Sequence, residues 1–401
     1  MSKVKTEPIS KVEISKKALE HNIAAFKSLI GKNTTLCFCV KANAYGHGLA
    51  QVSKIISEYK DSGSSIWLGV NAAFEAEILR NAGIKNPIYI LGYVPLDQIE
   101  AAVKMDVRFV VYNKETVDTA AKAAKKFGKK ARLHLKIETG NNRQGIMPED
   151  AVKFAKYIIA NKNLELEGLS THFANIEDTT EHEFASFQLE NFKKTIAKIE
   201  ATGIKIKYKH CANTAATILF PETHMTMVRV GIGLYGMWPS KETYVSALQK
   251  GRGKINLEPV LTWKTKIAQI KIIPEGSYIG YGCTYKTTAK TKIAIIPVGY
   301  YDGYDRRLSN NSYVLIHGKR APICGRVCMN IIMVDVTDIR DVKLEDEVVL
   351  LGTQKVGGGK NGAKSHAETI SAEQMAGWFN TINYEVVARI NERIPREISK
   401  L

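Results

Sequence analysis

Eight short apolar runs recur through the first 240 residues, and amphipathic stretches typical of helices lie between them. The runs cover residues 36–40, 66–70, 88–91, 109–112, 133–137, 166–169, 204–208 and 227–232, and helical stretches include 51–58, 72–81, 116–127 and 184–200. Short apolar strands that alternate with helices are typical of a parallel sheet buried on both faces. Eight such units predict a closed (β/α)8 barrel of the TIM type. An open doubly wound sheet is the alternative, but no G-x-G-x-x-G follows the first run.

The pattern changes in the last third of the chain. Strand-like segments at 259–273, 292–297, 313–316, 331–336 and 348–351 are separated by glycine and Asn/Asp turns, with one helix predicted at 371–389 and a loop at 355–364. We therefore expect an α/β plus β chain. A barrel over residues 1–248 would be followed by a mainly antiparallel β domain over 249–401.

The charge balance narrows the class of partner. The 57 basic and 40 acidic residues give a net charge of +17, which suggests an anionic partner such as nucleic acid, a membrane or a phosphorylated small molecule. The lysines are dispersed and form no basic arm or recognition module, so we expect no nucleic-acid partner. No run of about 18 apolar residues is present, so we expect no membrane association.

The cysteines and the N-terminus predict a compartment. None of the six cysteines forms a C-x-x-C pair, so we expect no metal site. The N-terminal segment is polar and lacks the apolar core of a secretory signal. Free thiols without such a signal favour the cytoplasm.

Polar residues directly follow the apolar runs, where the active site of a barrel lies. They include Lys41, Arg143, His172 and the segment His210 to Thr214, and Arg229 lies within the eighth run itself. A lysine that closes a buried strand is partly desolvated, which frees its amine to form a Schiff base. Thr214, Gly231 and Ile232 would lie at the ends of the last two strands, where barrels commonly hold a phosphate. A Schiff-base lysine and a phosphate site together indicate pyridoxal 5'-phosphate (PLP).

The motifs around these residues resemble those of the bacterial alanine racemases, PLP enzymes of fold type III, over essentially the whole chain. Residues 40–48 (VKANAYGHG) are similar to the family's PLP-attachment signature. Further similar segments are 136–143, 171–174, 210–213, 229–236, 280–285, 297–300, 325–329 and 382–385.

This resemblance implies a role for each matching position. Lys41 would hold PLP and act as one catalytic base, and Tyr281 from the partner subunit of a homodimer would act as the other. Arg229 would face the pyridine nitrogen, and His172 would bridge Arg229 and Tyr281. The phosphate would be bound by Tyr45, Thr214, Gly231, Ile232 and Tyr384. The substrate carboxylate would be held by Arg143 and the backbone of Met329, and supporting residues would be Lys136, His210 and Asn213. Lys136 matches a lysine that is often carboxylated in the family and then supports Arg143.

The implied function is a cytoplasmic isomerase that interconverts L-alanine and D-alanine and supplies D-alanine for peptidoglycan. Several positions depart from the family pattern: Asn141 and Asn142 replace Met-Gly and Gln144 follows Arg143, Asn330 replaces Asp, and Thr214 replaces Ser. These polar changes leave open a broader specificity that includes serine. Remote alternatives are a fold type III amino-acid decarboxylase, which would place a carboxylate where Arg229 stands, and a non-catalytic PLP-binding protein, which would consist of the barrel alone.

Overall fold

The computed structural model describes residues 8–59, 66–356 and 366–399. They form two compact units. One consists of Lys17–Ala44 and Val52–Glu258, and the other of the described residues up to Lys16, Tyr45–Gln51 and the described residues from Pro259 onward. The ranges expected from the sequence were 1–248 for the barrel and 249–401 for the β domain. The expected barrel range includes residues 8–16 and 45–51, which the structure groups with the second unit. Most of the loop expected at 355–364 lies outside the described residues.

The first unit is an eight-stranded parallel barrel surrounded by helices, as the apolar runs predicted. Its strands are β1 (Thr35–Cys39), β2 (Ile66–Val70), β3 (Ile88–Ile90), β4 (Arg108–Val111), β5 (Ala131–Lys136), β6 (Leu164–Ser170), β7 (Tyr208–His210) and β8 (Met227–Val230). The α-helices that follow them in turn are Leu49–Glu58, Ala73–Asn81, Ile99–Lys104, Lys114–Phe127, Ala151–Ile159, Glu183–Glu200, Thr214–Leu219 and Lys241–Gln249, and helix Lys16–Leu29 precedes β1.

Each strand pairs with its neighbour in chain order, and β8 pairs with β1. The last gap, between β7 and β8, is bridged by the backbone N–H of Arg229, which donates to the Ala212 carbonyl at 3.0 Å. The seventh strand was predicted at 204–208, but the structure has it slightly later in the chain, at Tyr208–His210. Ile204 and Ile206 are buried, but pairing with β6 begins only where Tyr208 lies opposite Gly168.

The barrel interior is filled by inward-pointing side chains from successive strands. A buried cluster contains Cys37, Trp67, Tyr89, Val110, Tyr208 and Met227. Two histidines, His134 of β5 and His210 of β7, are fully buried beside these rings. The interior is therefore a packed core with a polar centre, because imidazoles stand where aliphatic side chains usually do.

The second unit is mainly antiparallel, as expected. One sheet orders its strands Lys319–Pro322, Tyr313–Ile316, Glu347–Val356, Leu261–Lys266, Lys11–Ser15 and Arg396–Ser399, with His366–Ile370 paired to Glu347–Val356. A second sheet contains Gln269–Ile273, Thr291–Ile296 and Ile332–Asp335, and a hairpin joins Tyr278–Ile279 to Tyr285–Lys286. Strand Lys11–Ser15, which pairs in parallel with Arg396–Ser399, was not predicted from the sequence.

The single C-terminal helix expected at 371–389 was wrong. Two helices, Ala372–Trp378 and Asn383–Ala388, are separated by a turn. The turn forms because Asn380 adopts a left-handed φ of 54° and the Thr381 N–H donates back to the Ala376 carbonyl, an arrangement that ends helices. In the part of the chain that the structure describes, no helix is long and apolar enough to cross a membrane.

Candidate active site

Lys41 follows β1 at the carboxyl end of the barrel and is partly buried. Within the described ranges its amine forms neither a hydrogen bond nor an ion pair. The next four residues, Ala42 to Tyr45, all have φ near +53°, although such values cost L-residues about 1–2 kcal/mol each. Strained backbone of this kind persists only where surrounding structure enforces it, and it concentrates at functional sites.

Glu75 supplies part of that enforcement. Its buried carboxylate accepts hydrogen bonds from the backbone N–H groups of Ala42 at 2.7 Å, Asn71 at 2.6 Å and Ala72 at 3.3 Å. The same side chain therefore caps helix Ala73–Asn81 and fixes the turn after Lys41.

Arg229 of β8 is 95% buried and is held mainly by neutral acceptors. Its Nη1 donates to Nδ1 of His210 at 2.5 Å and to the His210 carbonyl at 3.0 Å. Its Nη2 donates to the carbonyls of Thr171 at 2.8 Å and Cys211 at 3.2 Å, and lies 3.4 Å from Nδ1 of His172. Among the described residues, Nε of Arg229 has no acceptor. No carboxylate bonds to this guanidinium in the described part of the chain, so the site retains a full positive charge.

The two histidines that contact Arg229 are neutral. Burial, followed by the charge of Arg229, holds the pKa of His210 and of His172 well below the ordinary value. Because arginine only donates, Nδ1 of each ring is the acceptor and the ring proton lies on Nε2. The expected contact between His172 and Arg229 is thus present.

Lys136 is the last residue of β5 and lies near the positive charges of Arg229 and Arg143. Its amine donates to Oε1 of Gln144 at 3.1 Å, and Nε2 of Gln144 donates to the Tyr112 hydroxyl at 3.2 Å. Burial first, and then the charges of Arg229 and Arg143, lower the pKa of Lys136 from 10.5 to about 7. A substantial fraction of this amine is therefore uncharged near neutral pH.

The loop after β5 presents Arg143. The Glu138 carboxylate accepts from the backbone N–H groups of Gly140 at 2.7 Å and Arg143 at 3.2 Å. Burial alone would raise the pKa of Glu138, but these backbone donors lower it below the ordinary value. Asn141, one of the departures from the family pattern, donates to the carbonyls of His172 and Phe173. The Arg143 side chain itself is exposed, and its guanidinium has no acceptor in the described ranges.

Thr214, Gly231 and Ile232, the barrel residues expected to bind a phosphate, lie together. The Thr214 hydroxyl accepts from the Gly231 N–H at 2.9 Å, and Asn213 caps helix Thr214–Leu219 by accepting from the Ala216 N–H at 3.0 Å. Thr214 and Ile232 each begin a helical turn, so their N–H groups lack helical partners. A Cβ on Gly233 would lie 2.4 Å from Cζ of Phe26 and 2.6 Å from Cγ2 of Thr214, so glycine allows the backbone to pack this closely against both side chains.

The remaining expected residues belong to the second unit. The rings of Tyr45 and Tyr384 lie 6.0 Å apart. A Cβ on Gly46 would lie 1.9 Å from the Val387 carbonyl oxygen, so the backbone after Tyr45 packs directly on helix Asn383–Ala388. This packing explains why residues 45–51 group with the second unit.

Tyr281 and Met329 are both exposed. Tyr281 begins the tip of the hairpin formed by Tyr278–Ile279 and Tyr285–Lys286, and its side chain is 74% exposed. The Met329 carbonyl accepts from the Tyr301 N–H at 3.0 Å, whereas the Met329 N–H has no acceptor among the described residues.

The barrel thus brings together most of the residues predicted from the sequence: Lys41, Lys136, Arg143, His172, His210, Asn213, Thr214, Arg229, Gly231 and Ile232. Three further residues of the site, Glu75, His134 and Glu167, were not predicted from the sequence. His134 and Glu167 could have been noticed, because each is a titratable residue inside a run predicted to be a buried strand.

These features define a protein built on a (β/α)8 barrel, with a cation-rich site at the carboxyl ends of its strands and a β unit at its C-terminus. The family model for the alanine racemase N-terminal domain matches residues 14–239, and that for the alanine racemase C-terminal domain matches residues 260–398. The chain belongs to the alanine racemase family. Enzymes of this family are PLP-dependent isomerases that interconvert the enantiomers of alanine.

Individual relatives agree with the family models. The chain is 39% identical over 391 residues to an alanine racemase of Desulforamulus reducens, covering 97% of this chain and 98% of the relative. It is 39% identical over 385 residues to one of Methanococcus maripaludis, covering 96% and 97%. Among solved structures, an alanine racemase of Clostridium difficile 630 has a TM-score of 0.87 at 35% identity, covering 98% and 96%. One from Bacillus anthracis with bound L-Ala-P has a TM-score of 0.86 at 34% identity, covering 99% and 96%.

Proposed function

We propose that this chain interconverts L-alanine and D-alanine with PLP as cofactor. One observation carries the proposal: the two terminal nitrogens of Arg229 contact neutral imidazoles and carbonyls. A guanidinium keeps its protons, so a pyridine nitrogen facing it would stay unprotonated. A decarboxylase needs the opposite, a carboxylate that keeps this nitrogen protonated.

The donor set fits PLP. The amine of Lys41 is unpaired in the described part of the chain, and the Nε–H of Arg229 has no protein acceptor there. The Thr214 hydroxyl and the N–H groups that begin two helical turns suit a phosphate, as do the hydroxyls of Tyr45 and Tyr384. When bound, PLP would withdraw electrons from an attached amino acid and acidify its Cα–H bond.

Racemisation removes the Cα proton from one face and returns a proton to the other, so two groups are needed. We assign Nζ of Lys41 to one face and the phenol oxygen of Tyr281 to the other. Arg143 would hold the substrate carboxylate by its guanidinium, assisted by the N–H of Met329. The Nε2–H group of His172 points away from Arg229 and would be free to donate to the phenol oxygen of Tyr281.

The assembly that we propose is a homodimer in which each subunit lends Tyr281 to the active site of the other. We place the enzyme in the cytoplasm, because its six cysteines are free thiols and reducing compartments maintain thiols. Its product, D-alanine, would enter peptidoglycan.

The test is direct. Purified protein incubated with PLP should gain visible absorbance, and L-alanine should become racemic without release of pyruvate or amine. Lys41→Ala should lose both properties, whereas the matched control Lys54→Ala, an exposed lysine of the following helix, should keep them. Formation of amine would identify a decarboxylase instead, and a kcat/KM for serine that approaches the value for alanine would identify a broader racemase.

A further inference from the structure

A continuous hydrogen-bonded path crosses the barrel interior beneath Arg229. The Nδ1 atom of His210 bonds to Arg229, and its Nε2 lies 2.8 Å from Nδ1 of His134. On the far side of His134, Nε2 lies 3.4 Å from Oε2 of Glu167. All four side chains are at least nine-tenths buried. We call Arg229, His210, His134 and Glu167 the interior network.

The hydrogen bonds of the interior network have a fixed direction. Arg229 can only donate, so Nδ1 of His210 accepts and its proton is on Nε2. That proton is donated to Nδ1 of His134, which places the second imidazole proton on Nε2, facing Glu167. Burial lowers the pKa of both histidines, so both rings are neutral. Glu167 therefore favours the Nε2-protonated form of His134, and His134 in turn favours the Nε2-protonated form of His210. This form of His210 leaves Nδ1 as an acceptor for Arg229.

A β-bulge places Glu167 in this position. Leu133 pairs with Leu166 and His134 pairs with Gly168, so Glu167 is an extra residue on β6. Bulges re-aim side chains, and this one brings a carboxylate to His134. Gly168 makes room for the ring, because a Cβ there would lie 2.5 Å from Nδ1 of His134.

Neighbouring side chains also fix the positions of Glu167 and His134. Nε of Arg108 donates to Oε2 of Glu167 at 3.1 Å, which balances the carboxylate charge. The rings of Tyr89 and Tyr208 pack on His134 with centroids 4.6 Å and 6.0 Å away. Turning over either imidazole would break its hydrogen bonds to its neighbours in the network. The network therefore has one arrangement rather than several.

We propose that Glu167 and His134 are positioning residues for Arg229. They fix the tautomer in which His210 offers Arg229 an acceptor, and so hold the guanidinium with its Nε–H available to the pyridine nitrogen of the cofactor. The positioning role depends on the proposed function, because it concerns the bound cofactor. The tautomers of His134 and His210 do not depend on it.

The first experiment reads the tautomers in the ligand-free protein. Nitrogen-15 NMR of imidazole-labelled protein, assigned with His134→Asn, should show both His134 and His210 protonated on Nε2. Glu167→Leu removes the acceptor and should produce a population of His210 protonated on Nδ1. The control Glu165→Leu, a half-exposed residue of the same strand, should leave both tautomers unchanged.

The second experiment reads the consequence for the cofactor. With PLP bound, Glu167→Leu should shift the visible absorbance and lower kcat about tenfold to a hundredfold at unchanged KM for alanine, since small misplacement of catalytic groups has effects of this size. Glu167→Gln, which keeps an acceptor oxygen, should restore most of the activity and the wild-type absorbance.

Three results overturn the proposal. They are a wild-type His210 protonated on Nδ1, a Glu167→Leu protein with wild-type tautomers and absorbance, and an activity loss in Glu167→Gln as large as in Glu167→Leu. If Glu167→Leu does not fold, the wild-type tautomers and Glu167→Gln still test it. Wild-type protein that fails to racemise alanine but shows the expected tautomers would contradict the proposed function and leave the arrangement of the interior network standing.

Discussion

The carboxylate of Glu75 accepts a hydrogen bond from the backbone N–H of Ala42, with an Oε1···N distance of 2.7 Å. Ala42 begins a run of four residues with left-handed φ values, and Lys41 directly precedes it. A residue on the helix after β2 thus supports the backbone conformation that presents a lysine at the end of β1.

Glu75→Ala should lower the free energy of unfolding by about 1–3 kcal/mol, because three partly buried backbone N–H groups would lose a buried carboxylate as their acceptor. Glu77→Ala, at an exposed position of the same helix, is the matched control and should change stability little. Denaturant titration followed by circular dichroism measures both. Equal stabilities of the two variants would contradict the structural role of Glu75.

Lys136 should make stability depend on pH in a specific direction. Its pKa is about 7 in the folded chain and near 10.5 when unfolded, so between these values the unfolded state binds more protons. Stability contributed by this group therefore rises with pH from about 7 to 10.5 and is lowest below pH 7.

Lys136→Met removes this titration. The free energy of unfolding of Lys136→Met relative to wild type should be greatest near pH 6–7 and should decline toward pH 10. For Lys153→Met, at an exposed site, the difference from wild type should be the same at every pH. Chemical unfolding at several pH values provides the measurement. A constant difference for Lys136→Met would mean that the side chain does not titrate in this range, as expected if it were carboxylated.

Tyr281→Phe should bind PLP with wild-type absorbance but racemise alanine roughly 100-fold to 10,000-fold more slowly, the range typical of a lost general acid or base. Tyr278→Phe is the matched control, since Tyr278 is also an exposed tyrosine of this hairpin. Polarimetry with L-alanine and with D-alanine measures both directions. Full activity of Tyr281→Phe would refute the two-base assignment.

Gly168→Ala should destabilise the protein by about 1–3 kcal/mol, because the added methyl group overlaps His134 and overpacked cores pay such penalties. Gly377→Ala is the control. That position lies in helix Ala372–Trp378, and a Cβ there would meet open space, so alanine should be neutral or slightly stabilising. Thermal unfolding of both variants gives the comparison, and an unchanged melting temperature for Gly168→Ala would be inconsistent with the close contact.

Periodicity predicted the barrel well because burial of a parallel strand on both faces leaves a continuous apolar run. It failed at residues 204–208, where Ile204 and Ile206 are buried without pairing in a strand, and at 371–389, where a left-handed Asn380 divides the predicted helix. Strand Lys11–Ser15 was missed because its partners lie more than 200 residues away in sequence.

The site could be predicted where residue type alone carries chemistry, as for Lys41, His172 and Arg229. Residues that act through geometry could not be found in this way. Glu75 resembles an ordinary helix-start carboxylate until the turn after Lys41 is known. Gln144 stands out in the sequence as a departure from the family pattern, but its bonds to Lys136 and Tyr112 are visible only in the structure.

The extra residue in β6 has a consequence for chain length. A bulge absorbs one residue, because the extra residue has no partner on the neighbouring strand. Gly168, Leu169 and Ser170 lie opposite His134, Leu135 and Lys136 in unbroken order. Deleting Glu167 would therefore keep these pairs and the facing of the residues after them, and would remove only the carboxylate beside His134. Deleting a paired residue of β6 instead would reverse the facing of the residues that follow it, so the deletion of Glu167 should be tolerated far better than a deletion one or two residues away.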